Sequence, residues 1–190
     1  VKLKDDKKYA RIFRAVLKLV AKKGLAGMTM GDISKEAGIA TGTLYVYFSS
    51  KDELINALFA ACRENSVTIS FKGYNAQQPF KPAFRNIWMN ILRYRLQNFE
   101  EFIFLEQCYH SPYITAATRE KARQLTEPFY ALITRGQSEQ LIKNIETDLL
   151  ATFIIGSMNE LVKQIHYSGI ALTRSRINHT FDLCWDAIRA

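Results

Sequence analysis

Apolar residues in the first part of the chain recur at spacings of three and four. Tyr9, Ile12, Phe13, Val16, Leu17, Leu19 and Val20 fall on one face at about 100° per residue, and Lys7, Arg11, Arg14, Lys18 and Lys22 fall opposite. The pattern predicts an amphipathic helix from about Asp5 to Lys23, ended by Gly24. The rhythm then shortens. Thr29 can cap a short helix to about Ala37, with Asp32 three residues on as its reciprocal partner. Gly38 makes a sharp turn, Ile39 plugs inward, and a second short helix runs from about Thr41 to Tyr47. Ile33, Ala37, Ile39, Leu44 and Phe48 make a miniature core, with small Ser34 and Ala37 letting the helices cross closely. Two short helices around a glycine turn read as a helix-turn-helix, the second entering a major groove.

Further along, Ser50-Lys51-Asp52-Glu53 caps a long fourth helix to about Ser66, and a polar irregular stretch follows from Lys72 to Pro82. Pro82 suits an early position in a fifth helix that runs to about Asn98, and a sixth runs from Phe99 to Tyr109, broken at Ser111-Pro112. A seventh spans Thr115 to Thr134, kinked at Pro128 and ended by Gly136. Two long apolar helices close the chain at about Glu146–His166 and Thr173–Arg189. No strand pattern persists, so the fold class is all-α: a three-helix head on a larger helical body, about nine helices in all. Nine Gly and four Pro in 190 residues suit long helices better than a many-turned β fold.

Charge changes the picture more than composition does. Residues 1–51 hold eleven Lys/Arg against four acids, and the rest of the chain fifteen against fourteen, so seven of the eight net positive charges lie in the first quarter. A basic head on a near-neutral body points to a polyanion partner with a localised footprint. The basic stripe of the first helix reads either as a plain solvated face or as one that partly borders phosphates. Cys62, Cys108 and Cys184 are widely spaced and form no metal-ligand pattern. They read as reduced thiols, with a redox sensor as the lesser alternative. No run approaches the length of a membrane span, and the charged opening lacks the apolar stretch of a secretory signal, so a cytoplasmic protein without a membrane partner is expected. The chain opens at Val1, and a few leading residues are expected before it. Three scattered histidines support no metal site, and no acid–base, nucleophile or nucleotide-loop constellation supports an enzyme or a cofactor.

The order and spacing of Thr29, Asp32-Ile33, Ala37-Gly38-Ile39, Gly42-Thr43-Leu44-Tyr45, Tyr47-Phe48 and Lys51-Asp52-Glu53-Leu54 resemble the DNA-binding head of the tetracycline-repressor (TetR) family. The resemblance is strong over about residues 7–60 and architectural beyond. It implies a DNA-binding domain at 1–51 and a ligand-binding and dimerisation domain at 52–190. It implies that Thr41, Gly42, Thr43, Val46 and Tyr47 face the groove and that Tyr45 and Tyr47 reach phosphates, with Thr29 at a helix start beside them and Lys51 as a phosphate contact at the start of the fourth helix, where backbone N–H groups also favour phosphate. Helical geometry agrees in part, since with Leu44 and Phe48 inward, Gly42, Thr43, Val46 and Tyr47 point away from the core. Tyr45 lies close to the core edge and reads as either a phosphate contact or a packing aromatic. Ala40 stands where the family often has a capping Ser.

The resemblance also implies a ligand pocket in the body and a dimer through the last two helices. Candidate lining residues are Phe84, Trp88, Phe102, Tyr109, Tyr113 and Phe129, with Gln107, His110, Asn159 and His166 as polar groups; taken singly, each aromatic reads first as plain core. Candidate seam residues are Leu149, Phe153, Gly156, Ser157, Phe181 and Trp185. The expectation is a homodimeric repressor of operator DNA, released by a hydrophobic or amphipathic small molecule. The alternative is a helical ligand-binding or scaffold module that does not read DNA.

Overall fold

A computed structural model of the chain describes the backbone of residues 2–190 and the side chains of residues 7–190. Among the described residues ten helices follow in order: α1 (Lys2–Lys23), α2 (Met30–Ala37), α3 (Thr41–Tyr47), α4 (Lys51–Ser70), α5 (Phe80–Gln97), α6 (Phe99–Tyr109), α7 (Ala116–Leu125), α8 (Glu127–Ser138), α9 (Thr147–Ser168) and α10 (Arg174–Ile188). Among the described residues the only β pairing is an isolated bridge between Ile142 and Arg189. The helices gather into two compact units. One comprises Val1–Asn65 with Asn98–Arg123, the other Ser66–Gln97 with Gln124–Ala190.

The first unit is built on the apolar face of α1. Ile12, Val16 and Val20 are buried with Ile33 and Ala37 of α2, Leu44 of α3, Leu54, Ile55 and Leu58 of α4, and Phe104 and Cys108 of α6. Polar groups finish the joints. Gln107 Oε1 on α6 accepts from the Leu25 N–H at 3.2 Å, tying α6 to the segment after α1. Gly38 adopts φ 62°, and Arg11 donates through Nη2 to the carbonyls of Ala37 (2.6 Å) and Gly38 (2.8 Å). Two carbonyls at the end of α2 thereby find a charged donor.

In the second unit α5 lies along α10. Phe84 and Trp88 meet the Phe181 ring at 6.0 and 5.5 Å, and Phe80 and Phe84 meet Trp185 at 6.1 and 6.2 Å. Helix α9 buries Leu150, Ile154, Met158 and Val162 against α5, α8 and α10.

Two readings of proline and glycine differ from the sequence pattern. The predicted seventh helix is two, because Pro128 sits at the start of α8, where its missing N–H is harmless, instead of kinking a longer helix. Gly136 lies inside α8, and a Cβ there would run into the buried Phe80 ring, so it serves close packing, not termination. Pro82 is likewise tolerated because α5 begins at Phe80, leaving the proline in the first turn. The three cysteines are free and buried, and desolvation pushes the Cys62 and Cys108 thiols up to about 12 and that of Cys184 to about 11. A redox sensor needs an accessible thiolate, so that alternative falls.

Candidate nucleic-acid interface

The turn from α2 to α3 is fixed by its own side chains. Thr29 Oγ1 accepts from the Asp32 N–H (3.1 Å), while Asp32 Oδ2 accepts from the Thr29 N–H and hydroxyl, both at 2.8 Å. Lys23 Nζ lies 2.7 Å from the same carboxylate. The lysine first, then Thr29, hold Asp32 far below the ordinary carboxylate range. The Thr29 hydroxyl hydrogen is thus engaged in the capping box, and its role in the fold is to start α2.

Ser34 donates its hydroxyl to the Gly31 carbonyl at 2.9 Å, so in its 2.9 Å contact with Thr41 the Thr41 hydroxyl is the donor. That bond ties the start of α3 to α2, while Ala40 gives α3 no side-chain cap. On α3 only Leu44 is buried. Tyr47 is half-buried, its ring set edge-on to Tyr9 at 5.1 Å, and Thr43 is half-buried. Tyr45 is 52% exposed and Val46 83%. Around Gly42 no atom stands within 4 Å of where a Cβ would be. The exposed face of α3 therefore carries Gly42, Tyr45 and Val46, with the edge formed by Thr41, Thr43 and Tyr47.

Helix α4 begins beside it. Ser50 Oγ accepts from the Glu53 N–H at 3.1 Å, and Glu53 accepts from the Ser49 N–H (2.7 Å) and hydroxyl (2.6 Å). These Ser49 bonds lower the Glu53 pKa. Lys51, in the first turn, places Nζ 4.8 Å from the centre of the Tyr113 ring.

The basic stripe of α1 divides. Arg11 is tied to α2 as described, Lys18 lies 3.5 Å from Glu36, and Arg14 and Lys22 are exposed. Sequence alone does not show that Arg11 caps α2, because the 26 residues between donor and acceptor close only in the folded head.

The remaining candidates separate by unit. Phe102, Tyr109 and Tyr113 belong to the first, Phe84, Trp88 and Phe129 to the second. Five are buried or half-buried, but Tyr109 is exposed, packed edge-on to His110. The buried Trp88 Nε1 has no hydrogen-bond acceptor at good geometry, and the Cys184 thiol beside it is a weak one. Of the polar candidates, Gln107 is bonded to Leu25, and His110 and His166 are exposed. Asn159 is half-buried on α9. Leu149, Phe153, Gly156 and Ser157 form an exposed face of α9. Phe181 and Trp185 are buried against α5 within the chain, so their rings are core and not free surface. The sequence pattern missed Leu183, 72% exposed on α10. Among the described residues no group of three or more His, Cys, Asp or Glu can hold a metal, and no helix is long and apolar enough to cross a membrane.

Comparison with known proteins points one way. The family model for bacterial regulatory proteins of the tetR family matches residues 12–58, and that for a tetracyclin repressor-like C-terminal domain matches residues 79–189. An uncharacterized HTH-type transcriptional regulator of Haemophilus influenzae is 33% identical over 88 residues, 46% of this chain and 47% of its own length. The match thus spans less than half of that relative. A TetR family regulator from Marinobacter aquaeolei superposes with a TM-score of 0.91 at 24% identity, covering 100% of this chain and 99% of its own. FadR from Bacillus subtilis, solved with stearoyl-CoA, superposes at 0.73 with 18% identity, covering 95% and 99%.

Proposed function

The chain belongs to the tetR family of transcriptional regulators, and on that premise we propose that it is a homodimeric repressor whose operator grip a small amphipathic molecule releases. It is a regulator with a DNA-binding helix-turn-helix, not an enzyme. The observation that carries the DNA reading is the outer face of α3. Val46 and Tyr45 are exposed while Gly42 opens onto empty space, an arrangement that serves no packing within the chain. Gly42 admits a sugar-phosphate backbone closely, Val46 offers methyls to a thymine methyl, and Tyr45 and Tyr47 border the strands. Side chains with base-reading forks are absent from this face, so phosphate contacts supply much of the affinity and duplex shape much of the selectivity.

Functionally, residues 1–51 act as the reading head and residues 52–190 as the ligand-binding and dimerising body. The α9 face of Leu149, Phe153, Gly156 and Ser157, with Leu183 of α10, is the seam, since apolar side chains this exposed on two long helices are best covered by a second copy. The ligand site draws on Phe84, Trp88 and Phe129, where the unsatisfied Trp88 Nε1 would take an acceptor group. Phe102, Tyr109 and Tyr113 belong to the first unit and are not part of that proposed site. The B. subtilis FadR structure makes stearoyl-CoA the first probe.

Fluorescence anisotropy with duplex from upstream of the gene tests the reading. Binding that falls steeply with salt and is weakened by Val46→Ala and Tyr45→Ala supports it; no binding at low salt refutes it. For release, calorimetry with and without that duplex should give ligand affinities differing by about 5- to 150-fold, and equal affinities would refute the coupling.

A further inference from the structure

The segment between α6 and α7 is held unusually firmly for a loop. Arg119 on α7 donates to two of its carbonyls, those of Ser111 (3.3 Å) and Ile114 (3.4 Å), and to that of Tyr109 at the end of α6 (2.6 Å). Asn56 on α4 grips it from the other side, donating to the Tyr113 carbonyl at 2.8 Å and accepting from the Thr115 N–H at 3.0 Å. Inside the loop the Tyr113 N–H donates to Ser111 Oγ at 3.2 Å, and Ser111 and Ile114 are buried. All of these residues lie in the first unit. The product is a strap whose backbone is fixed on both sides of Tyr113, and Lys51 lies over the Tyr113 ring.

A lysine at the start of a helix is poorly placed by its own helix, because the N-terminal end of the dipole repels it. It also has a long, mobile stem. The ring face answers both, attracting the ammonium and restricting the stem, while an ammonium resting on a ring on one side keeps N–H groups for an acceptor on the other. We propose that Tyr113 is a positioning residue for the head's Lys51–phosphate contact, so that the α6–α7 strap, and not α4 alone, sets the reach of that lysine. This rests on the DNA reading above and adds to it a site of control. Whatever shifts the strap shifts the lysine, through Asn56 and Arg119.

The test is a double-mutant cycle on the full chain with a fluorescently labelled duplex of mixed sequence. Tyr113→Phe, which keeps the ring, should bind as the parent does. Tyr113→Leu should bind roughly two- to fivefold more weakly, the scale of an exposed cation–π contact. In a Lys51→Ala background Tyr113→Leu should change nothing further. By NMR the Lys51 ε-methylene protons should lie upfield under the ring current, stay there in Tyr113→Phe and return to ordinary values in Tyr113→Leu. If Tyr113→Leu misfolds, fluorinated phenylalanines at position 113 weaken the ring face at nearly constant volume, and affinity should fall with each fluorine. An equal loss in the Lys51→Ala background, or no loss with Lys51 present, overturns the proposal while leaving the DNA reading intact. A parent protein that binds no duplex overturns the DNA reading and this inference with it.

Discussion

Gly42 separates stability from function at a single position. The chain places nothing near its missing side chain, so alanine there meets no clash and raises helix propensity. Gly42→Ala should therefore leave the fold as stable or up to about 1 kcal/mol more stable in urea unfolding, while duplex affinity drops. A variant that binds as the parent does would remove the close-approach argument. Thr29 separates them the other way. With its hydroxyl held in the capping box, Thr29→Ala should cost about 1 kcal/mol of stability, and its effect on binding should follow from that loss of order. Asp32 gives the box a pH signature. Its folded pKa is depressed by Lys23 and Thr29, so its contribution is complete above its ordinary 3.8 and is lost as pH falls below that value. Melting temperatures of the parent and of Asp32→Asn should therefore converge in acid. The box was legible in the sequence because both partners sit within three residues. Arg11 and Tyr113 were not, because each acts on residues brought near only by the fold.

At the scale of elements, the periodic pattern located the helical segments, merged α7 with α8, and erred on where some helices stop. α1, α3 and α6 match because a glycine, a short turn or a Ser-Pro break follows each one. The predicted seventh helix failed because proline can either kink a helix or begin one, and one sequence does not say which. Gly136 failed for a related reason, since glycine ends helices and also admits neighbours. Its neighbour is the Phe80 ring, itself buried among other side chains. Gly136→Ala should accordingly destabilise the protein by about 1–3 kcal/mol through overpacking, read as a lower urea midpoint. An unchanged midpoint would mean that α8 and α5 yield more easily than their packing implies. Phe181 and Trp185 show a further limit of pattern. An apolar stripe announces burial but not against what, and here α5 covers it within the chain.

For the whole molecule, that distinction predicts two different failures. Phe153 is 46% exposed, so Phe153→Glu should yield a folded monomer by sedimentation that has lost operator binding. Trp185 is core, so Trp185→Glu should instead lower the melting temperature whatever the oligomeric state. Monomeric behaviour of the parent at micromolar concentration would sink the seam. The charge asymmetry acts on the same scale, directing a duplex to the first quarter of the chain and leaving a near-neutral remainder. Linkage adds a limit at high pH. The folded thiols are raised above their ordinary 9.0, so their contribution is complete below that value and lost as pH climbs through about 11 to 12. Those same thiols make the protein its own stopwatch. Cys62 and Cys108 lie in one unit and Cys184 in the other, each sealed from a disulfide reagent until its surroundings open. Two rates of thiol exchange, followed by mass spectrometry, would thus time the breathing of each unit separately in one unmodified sample, and any molecule that steadies one unit would slow one rate and spare the other.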